Sequence, residues 1–235
     1  MLQYIFRPNS DLETLIEYIR QFDVNGIICI EFFTRRSADK ILSLGIPTVF
    51  MDHFYGDEDL NGEYDIVLPD NVNAVRSACK KLIAAGADDF SFIGNPRNCK
   101  SFYERFLGMR EALYEEGLPY SPELSLTRDN SFPYGSAEAL AEAFSRFVRL
   151  PDCFVCANDF IALSVIDALK QMKKLHLDKI NVLGFDNIPE SRLSSPKLST
   201  INIDKQVLGR QAVCTLMDRI SNPALQSRTI GIFCN

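Results

Sequence analysis

The sequence predicts an α/β protein built from two doubly wound parallel sheets with a ligand cleft between them. Three observations lead to this prediction: the strands are apolar on both faces, helices separate them, and the series begins again after a polar loop. Strands without a polar face indicate a parallel sheet that helices cover on both sides. The 235 residues are enough for two lobes of about 100 to 120 residues each, an ordinary domain size.

In the first half of the chain, short apolar runs alternate with stretches of helical period. Gly45 and Gly86 each follow such a stretch and are expected to close a helix as its C-cap. The predicted strands are LQYIF (2–6), GIICI (26–30), PTVFMD (47–52) and YDIVLPD (64–70). The predicted helices lie near 11–21, near 37–44 and along an apolar face formed by Val72, Val75, Cys79, Leu82 and Ile83.

The same alternation repeats in the second half. Apolar residues three and four positions apart mark the helices, and continuous apolar runs mark the strands. The predicted strands are DFSFIGN (89–95), DCFVCA (152–157), INVLGFD (180–186) and the weaker LSTINI (198–203). The predicted helices lie near 101–115, 137–144, 161–172 and 208–220.

Composition and charge exclude several classes of protein. Hydrophobic residues make up 46% and charged residues 24% of the chain, which is typical of a globular protein. The net charge of −6 repels a phosphate backbone on average, so this chain alone is not expected to bind DNA. No run approaches the roughly 18 apolar residues of a transmembrane helix, and the start lacks the features of a signal peptide. We therefore predict a cytoplasmic protein without membrane contact.

The cysteines and histidines do not form a recognisable catalytic or metal site. Most of the seven cysteines are expected to be reduced thiols that pack as small hydrophobic residues in apolar strands or helices: Cys29, Cys79, Cys153, Cys156 and Cys214. Cys153 and Cys156 match a C-x-x-C spacing, but inside a strand residues three apart point to opposite faces. His53 and His176 lack the context of a catalytic triad. We predict no enzyme, no metal and no cofactor.

Acid or amide residues end five of the predicted strands. Ligands of doubly wound sheets bind at the carboxyl ends of the strands, so these residues predict a site. Each residue taken singly could instead be a turn residue or a helix N-cap. Carboxylates and amides together with an Arg, with Phe54 and Phe132 available for stacking, suit a neutral, hydroxyl-rich ligand. The strand-end residues are Asp52, Asp70, Asn95, Asn158, Asp159, Asp186 and Asn187.

The stretch 182–213 resembles the effector-binding core of lactose-repressor and galactose-repressor type regulators. The family pattern there is hydrophobic-G-[FY]-D, then P-x-L-[ST]-T, then a segment ending in G-x-x-A. The residues that fit it are Gly184, Phe185, Asp186, Pro196, Leu198, Ser199, Thr200, Gly209 and Ala212. Three further signatures follow the family order: Asp70-Asn71 opening a helix, Ser101-x-x-x-Arg105-x-x-Gly108, and Ala157-Asn158-Asp159 followed by Ala162.

The resemblance implies a two-lobed, periplasmic-binding-protein-like fold of type I whose chain crosses between the lobes three times. The first lobe is expected to comprise 1–68 and 203–231, and the second 69–202 and 232–235. Because residues 2–6 resemble the second strand of the family core, the first strand-helix unit and the helix-turn-helix headpiece are expected to be absent from this chain.

Carried over by motif, Arg105 and Asp186 would be the main hydrogen-bonding pair for the effector. Asn158, Ser101 and Asp52 would be further contacts. We expect the side chains of Arg105 and Asp186 to face a solvated crevice in the empty protein. The alternative for Arg105 is a solvated or salt-bridged helix residue, since Arg is mostly exposed in proteins.

One departure from the family concerns the aromatic residue that stacks on the ligand. In the family this residue lies five positions before a Gly, and the corresponding position before Gly135 is Asn130. Phe132 and Tyr134 are displaced from that position. We take Phe132 as the stacking candidate.

These observations predict the effector-sensing and dimerisation core of a transcriptional regulator. Its partners would be a monosaccharide or similar polyol, a second copy of the chain and, through the missing headpiece, operator DNA. The alternative is a sugar-binding protein of a transport system. That class needs a signal peptide, and seven cysteines would be hazardous in an oxidising periplasm.

Overall fold

The computed structural model describes residues 12–32, 34–56, 64–172 and 179–234. Within these ranges the chain forms seven α-helices and eight strands. In chain order they are α1 (Leu12–Gln21), β1 (Ile27–Phe32), α2 (Arg35–Leu42), β2 (Thr48–His53), β3 (Asp65–Pro69), α3 (Asn71–Ala84), β4 (Phe90–Ile93), α4 (Lys100–Glu115), α5 (Ala137–Ser145), β5 (Cys153–Cys156), α6 (Asp159–Gln171), β6 (Asn181–Asp186), β7 (Ser199–Asn202), α7 (Lys205–Ser221) and β8 (Thr229–Ile232).

The predicted helices and strands that fall on described residues are all present. The strand predicted at 2–6, the side chain of His53 and all of His176 lie outside the described residues. Gly45 and Gly86 follow α2 and α3 with φ of 69° and 99°, as expected of helix C-caps. The strand β8 was not predicted, because its four residues contain a Gly and are only partly buried.

The first sheet has the strand order β1-β2-β3-β8, and all its pairs are parallel. Alternate residues of its strands enter different cores, as the two-residue period of a strand requires. Val49 and Val67 pack with Ala212 of α7, whereas Phe50 and Leu68 pack in the cluster that contains residues of α1 and α2. Helices therefore cover this sheet on both faces, as predicted.

The second sheet has the order β4-β5-β6-β7, again with parallel pairs only. Helix α3 packs against α4 and α5 against α6, and all four share one continuous apolar core with the sheet. Cys153 and Cys156 lie in this core, which confirms the packing interpretation of the C-x-x-C spacing. All seven cysteines are free thiols, and Cys214 is exposed on α7, where a buried position was expected.

The chain passes between the two sheets at three points. It leaves the first sheet after β3, returns to it after β7, and after β8 reaches Cys234, which packs in the second core. Asp52 near the end of β2 accepts a hydrogen bond from the backbone of Ser101 at the start of α4. The carboxyl ends of the strands in the two sheets therefore face each other. Among the described residues, no helix is long and apolar enough to span a bilayer.

Candidate functional site

Arg105 is the centre of a buried polar cluster between the two sheets. It lies in the second turn of α4 and is only 5% exposed. Its Nε donates to Asn71 Oδ1 at 2.9 Å and its Nη1 donates to the carbonyl of Ala157 at 2.6 Å. Its Nη2 lies 3.5 Å from Asp186 Oδ1, and the guanidinium stacks 3.7 Å from the ring centre of Phe185. The expected solvated crevice is therefore wrong for Arg105, whereas the pairing with Asp186 agrees with the salt-bridged part of the alternative.

The helical period explains why Arg105 is buried. Ser101, Arg105, Gly108 and Ala112 lie three or four residues apart and form the buried face of α4. A Cβ at Gly108 would lie 2.5 Å from the carbonyl oxygen of Val72 in α3. Only a Gly allows the two helices to approach this closely, and the approach brings the start of α3 to the guanidinium.

Asn71 at the start of α3 is the site residue whose role the sequence did not reveal. It is 1% exposed, and its Oδ1 accepts from Arg105. Its Nδ2 lies within hydrogen-bond distance of the carbonyl of Pro69, of Ser101 Oγ and of Glu104 Oε2. Burial raises the pKa of Glu104, and the hydrogen bond from Asn71 opposes this rise. The Asp70-Asn71 signature marked the position, but not the contact with Arg105.

Asp186 ends β6 with φ of 108°, a backbone conformation that non-glycine residues rarely adopt. Its side chain is 26% exposed, so it is the accessible partner of the pair with Arg105. Burial raises the pKa of Asp186 to about 6, and the positive charge of Arg105 opposes this rise. This carboxyl group therefore changes its charge near pH 6.

Asn158 has the N-cap role, one of the two that the sequence left open. Its Oδ1 accepts from the backbone of Ile161 at 3.0 Å, so it is the N-cap of α6. It also follows Ala157, whose carbonyl holds Arg105. Asp70 has the N-cap role on α3, where it accepts from the backbone of Asn73.

Asp52 links the two lobes. Its backbone has φ of 59°, and its Oδ1 accepts from the backbone of Ser101 at 3.2 Å. Cys99, the N-cap residue of α4, makes no side-chain capping bond, so a carboxylate from the other lobe satisfies this helix end. Tyr55 and Tyr103 make a second contact between the lobes, with ring centres 4.9 Å apart.

The two predicted stacking residues, Phe54 and Phe132, differ in how buried they are. Phe54 is 3% exposed and belongs to the core of the first lobe, so its predicted availability for stacking is wrong. Phe132 is half-buried, with its ring 5.0 Å from that of Tyr134 and the Arg128 guanidinium 5.6 Å from its centre. Phe160, which is 62% exposed in the first turn of α6, was missed because its neighbours in the sequence are helical core residues.

Asn130, at the family's stacking position, belongs to a chain of hydrogen-bonded asparagine side chains. Asn130 Oδ1 accepts from Asn95 Nδ2 at 2.8 Å, and its own Nδ2 donates to Asn98 at 2.7 Å. Asn95 Oδ1 also accepts from the backbone of Arg97. Asn95 and Asn130 therefore organise the loops beside the cleft.

Two surface depressions lie away from this polar cluster. One of about 540 Å³ includes Arg76 and Lys80 on α3, and one of about 320 Å³ includes Thr48 and Arg219 in the first lobe. Arg76 and Lys80 already pair with Glu115 on the surface. We therefore assign the candidate site to the buried polar groups at the facing sheet edges, where charge and burial coincide.

Comparison with known proteins identifies a matching family and two similar repressors. Residues 79–234 match the periplasmic binding protein-like domain. The chain is 31% identical to the transcriptional repressor PurR of Glaesserella parasuis over 91% of this chain and 60% of that protein. It is 30% identical to the ribose operon repressor of Escherichia coli over 96% of this chain and 66% of that protein. The chain thus spans about 60% of the length of its PurR relative.

A solved structure shows the same fold. The regulator of the lactose-repressor family from Enterococcus faecium, with bound ribose, superposes with a TM-score of 0.75 at 20% identity and covers 97% of this chain and 82% of its own. These matches confirm the predicted fold class and family. The chain belongs to the family of periplasmic binding protein-like domains and has the fold of the cores of lactose-repressor-family regulators.

Proposed function

We propose that this chain is the effector-sensing core of a transcriptional regulator. A monosaccharide or similar polyol would bind between the lobes and control operator binding by a helix-turn-helix domain outside this sequence. The observation that carries the proposal is the Arg105–Asp186 pair, a buried guanidinium beside a partly exposed carboxylate, where the carboxyl ends of the two sheets face each other. The named relatives are transcriptional repressors. This favours a regulator over an enzyme, and a location in the cytoplasm.

The proposed site combines residues of both lobes. Arg105 and Asp186 would hold the effector hydroxyls, and Asn158, Ser101 and Asp52 would add contacts. The aromatic contact would come from Phe132. We assign 1–68 with 203–231 to the first lobe and 69–202 with 232–235 to the second. The membership of β1–β3 and β8 in one sheet and of β4–β7 in the other supports this assignment.

The charge of the cleft favours a neutral ligand. Asp52, Glu104 and Asp186 lie around Arg105, and Glu31 is close enough to raise the pKa of Asp186. These carboxylates repel phosphate but accept hydrogen bonds from hydroxyl groups. The ribose bound to the Enterococcus faecium regulator supports the same choice.

Thermal-shift screening tests the ligand class. The panel contains monosaccharides including ribose, free nucleobases, and nucleotides at equal concentration. We expect a monosaccharide to raise the melting temperature, because a ligand that binds only the folded state stabilises it. If only a nucleobase or a multiply phosphorylated compound raises it, the sugar assignment is wrong.

We propose that the protein forms a homodimer. Light scattering of this chain over a range of concentrations tests the idea. A monomer at every concentration would contradict it. The alternative, a transport binding protein, has no support among the relatives named above.

A further inference from the structure

We propose that Asp159 is a positioning residue that holds the turn after β6 and thereby places Asp186 against Arg105. The inference rests on the proposed function for its consequence, since Asp186 would contact the effector. Asp159 itself is fully buried and belongs to neither the ligand pair nor its direct partners. A buried carboxylate is costly unless hydrogen bonds satisfy it, so its partners indicate what it does.

The carboxylate of Asp159 joins three segments of the second lobe. It lies at the start of α6, and its Oδ1 accepts from Thr200 Oγ1 of β7 at 2.6 Å. Its Oδ2 accepts from the backbone of Ile188 at 2.9 Å, two residues after Asp186. One side chain therefore connects α6, β7 and the turn that follows β6.

That turn has an unfavourable backbone that needs support. Asp186 and Asn187 have φ of 108° and 48°, and consecutive non-glycine residues at positive φ persist only when their surroundings hold them. Thr200 Oγ1 accepts a hydrogen bond from the backbone of Asn187 at 3.3 Å, and Asn202 Oδ1 accepts one from the Asn187 side chain at 2.9 Å. Thr200 thus connects Asp159 to the backbone of the strained turn.

The main chain of β6 leaves space for this carboxylate. A Cβ at Gly184 would lie 2.1 Å from Asp159 Oδ1, so any larger residue would displace the carboxylate or the strand. Gly184 lies two residues before Asp186. The Gly at this position, which the sequence showed only as part of a motif, therefore allows β6 to pack directly on Asp159.

The charge of Asp159 also acts on Asp186. Four charged groups face Asp186: Arg105 from α4, Asp159 from α6, Lys205 from α7 and Glu31 from β1. Burial has the largest effect on the pKa of Asp186, and the opposing charge of Arg105 has the second largest. The negative charge of Asp159 comes third and raises this pKa. Removing this charge should lower that pKa even if the turn keeps its shape.

Two substitutions separate position from charge. In Asp159→Asn the amide oxygen can accept from the backbone of Ile188 while the amide nitrogen donates to Thr200 Oγ1, so the turn is retained without the charge. Asp159→Ala removes the hydrogen bonds as well. Asp167→Asn on the same helix is the matched control, because its exposed carboxylate pairs with Lys170.

Two measurements need no effector. Hydrogen exchange of the Asn187 and Ile188 amides should speed up about tenfold or more in Asp159→Ala, since their supports are lost. Carbon-detected titration of the Asp186 carboxyl should show a lower pKa in Asp159→Asn. The control should leave both readouts unchanged.

A third measurement, calorimetry with ribose, tests binding. Asp159→Ala should bind ribose about 10-fold to 100-fold more weakly than the unsubstituted protein, as for other groups that orient a binding residue.

The outcomes are distinct for the two proposals. Unchanged exchange at residues 187–188 in a folded Asp159→Ala protein overturns the positioning role, whichever ligand the cleft binds. If Asp159→Ala does not fold, Thr200→Val takes its place, because it removes the hydroxyl that links Asp159 to the Asn187 amide; unchanged exchange at residue 187 then overturns the positioning role. If exchange and titration change as expected but no sugar binds the unsubstituted protein, the effector assignment fails and the positioning role stands.

Discussion

The two lobes supply different kinds of residue to the cleft. The second lobe presents Arg105, Asn71 and Asp159, which are at most 5% exposed and have partners from several elements. The first lobe presents Asp52, which is half-buried, and Glu31, which is exposed. On this difference we propose that the second lobe holds a preorganised site and that the first lobe would complete it on closure.

Backbone strain is common to both sides of the cleft. Among the described residues, the non-glycine residues with positive φ are Glu31, Asp52, Asp186 and Asn187. Each lies within one residue of the carboxyl end of β1, β2 or β6. Such conformations concentrate at ligand sites, where the surrounding structure holds them.

The largest effect should come from Arg105→Ala in the second lobe. The substitution leaves Asn71, the Ala157 carbonyl and Asp186 without their partner. We expect a loss of about 3 to 5 kcal/mol in the free energy of unfolding, as for other broken buried charge pairs. Effector affinity should fall roughly 30-fold or more.

Urea unfolding and isothermal titration measure these two effects. Arg146→Ala is the matched control, because Arg146 is exposed and pairs only with Glu142 in the described contacts. Wild-type affinity in a folded Arg105→Ala protein would remove this residue from the site. It would also remove the evidence that the second lobe is preorganised.

Asp186→Asn should affect binding strongly but stability little. The carboxylate would be lost as a hydroxyl acceptor, so affinity should fall roughly 30-fold. Burial already disfavours this charge, so the melting temperature at pH 7.5 should be unchanged or higher. Calorimetry and circular dichroism measure both quantities. A large loss of stability would show that Asp186 supports the fold rather than the ligand.

The pH dependence of the unsubstituted protein should have opposite signs for stability and binding. The folded-state pKa of Asp186, about 6, is above its ordinary value of 3.8, so the folded state binds this proton more tightly. The stabilisation from Asp186 is therefore complete below about pH 4 and lost as the pH rises through 6. Sugar affinity should instead fall as the pH drops through 6, a trend that Asp186→Asn should abolish.

Asp52→Ala tests the contribution of the first lobe. It removes the cap of α4 that reaches across the cleft, and a lost cap typically costs about 1 kcal/mol. If capping favours the closed form, affinity should fall about fivefold. Asp39→Ala, at an exposed position of the same lobe, is the control. An effect as large as that of Arg105→Ala would contradict the unequal roles of the two lobes.

The smallest effect should come from the aromatic contact. Phe132→Ala should lower sugar affinity about 2-fold to 10-fold, the range expected of one aromatic contact. Phe160→Ala should change it by less than about twofold. The reverse result, measured by the same titration, would identify Phe160 as the stacking residue.

The sequence predicted the two lobes and the strand ends because both follow from local rules. Strands apolar on both faces require helices on both sides, and an Asp or Asn after a strand marks a helix start or a ligand edge. The strand β8 escaped prediction because Thr229–Ile232 is too short and too exposed to show a pattern. The proposed effector contacts stay predictions until binding is measured.

By itself, the sequence determined the α/β class, the parallel sheets, the family and the set of polar residues from which a site could be built. Only the tertiary structure decided that Arg105 is buried, that Asn71 and Ala157 hold it, that Asp159 supports the turn at Asp186, and that Phe54 lies in the core. The physical reason is distance along the chain. Helical and strand periods show which residues share a face, whereas burial and hydrogen bonding depend on distant segments, such as Asn71 and Ala157, which lie 34 and 52 residues from Arg105.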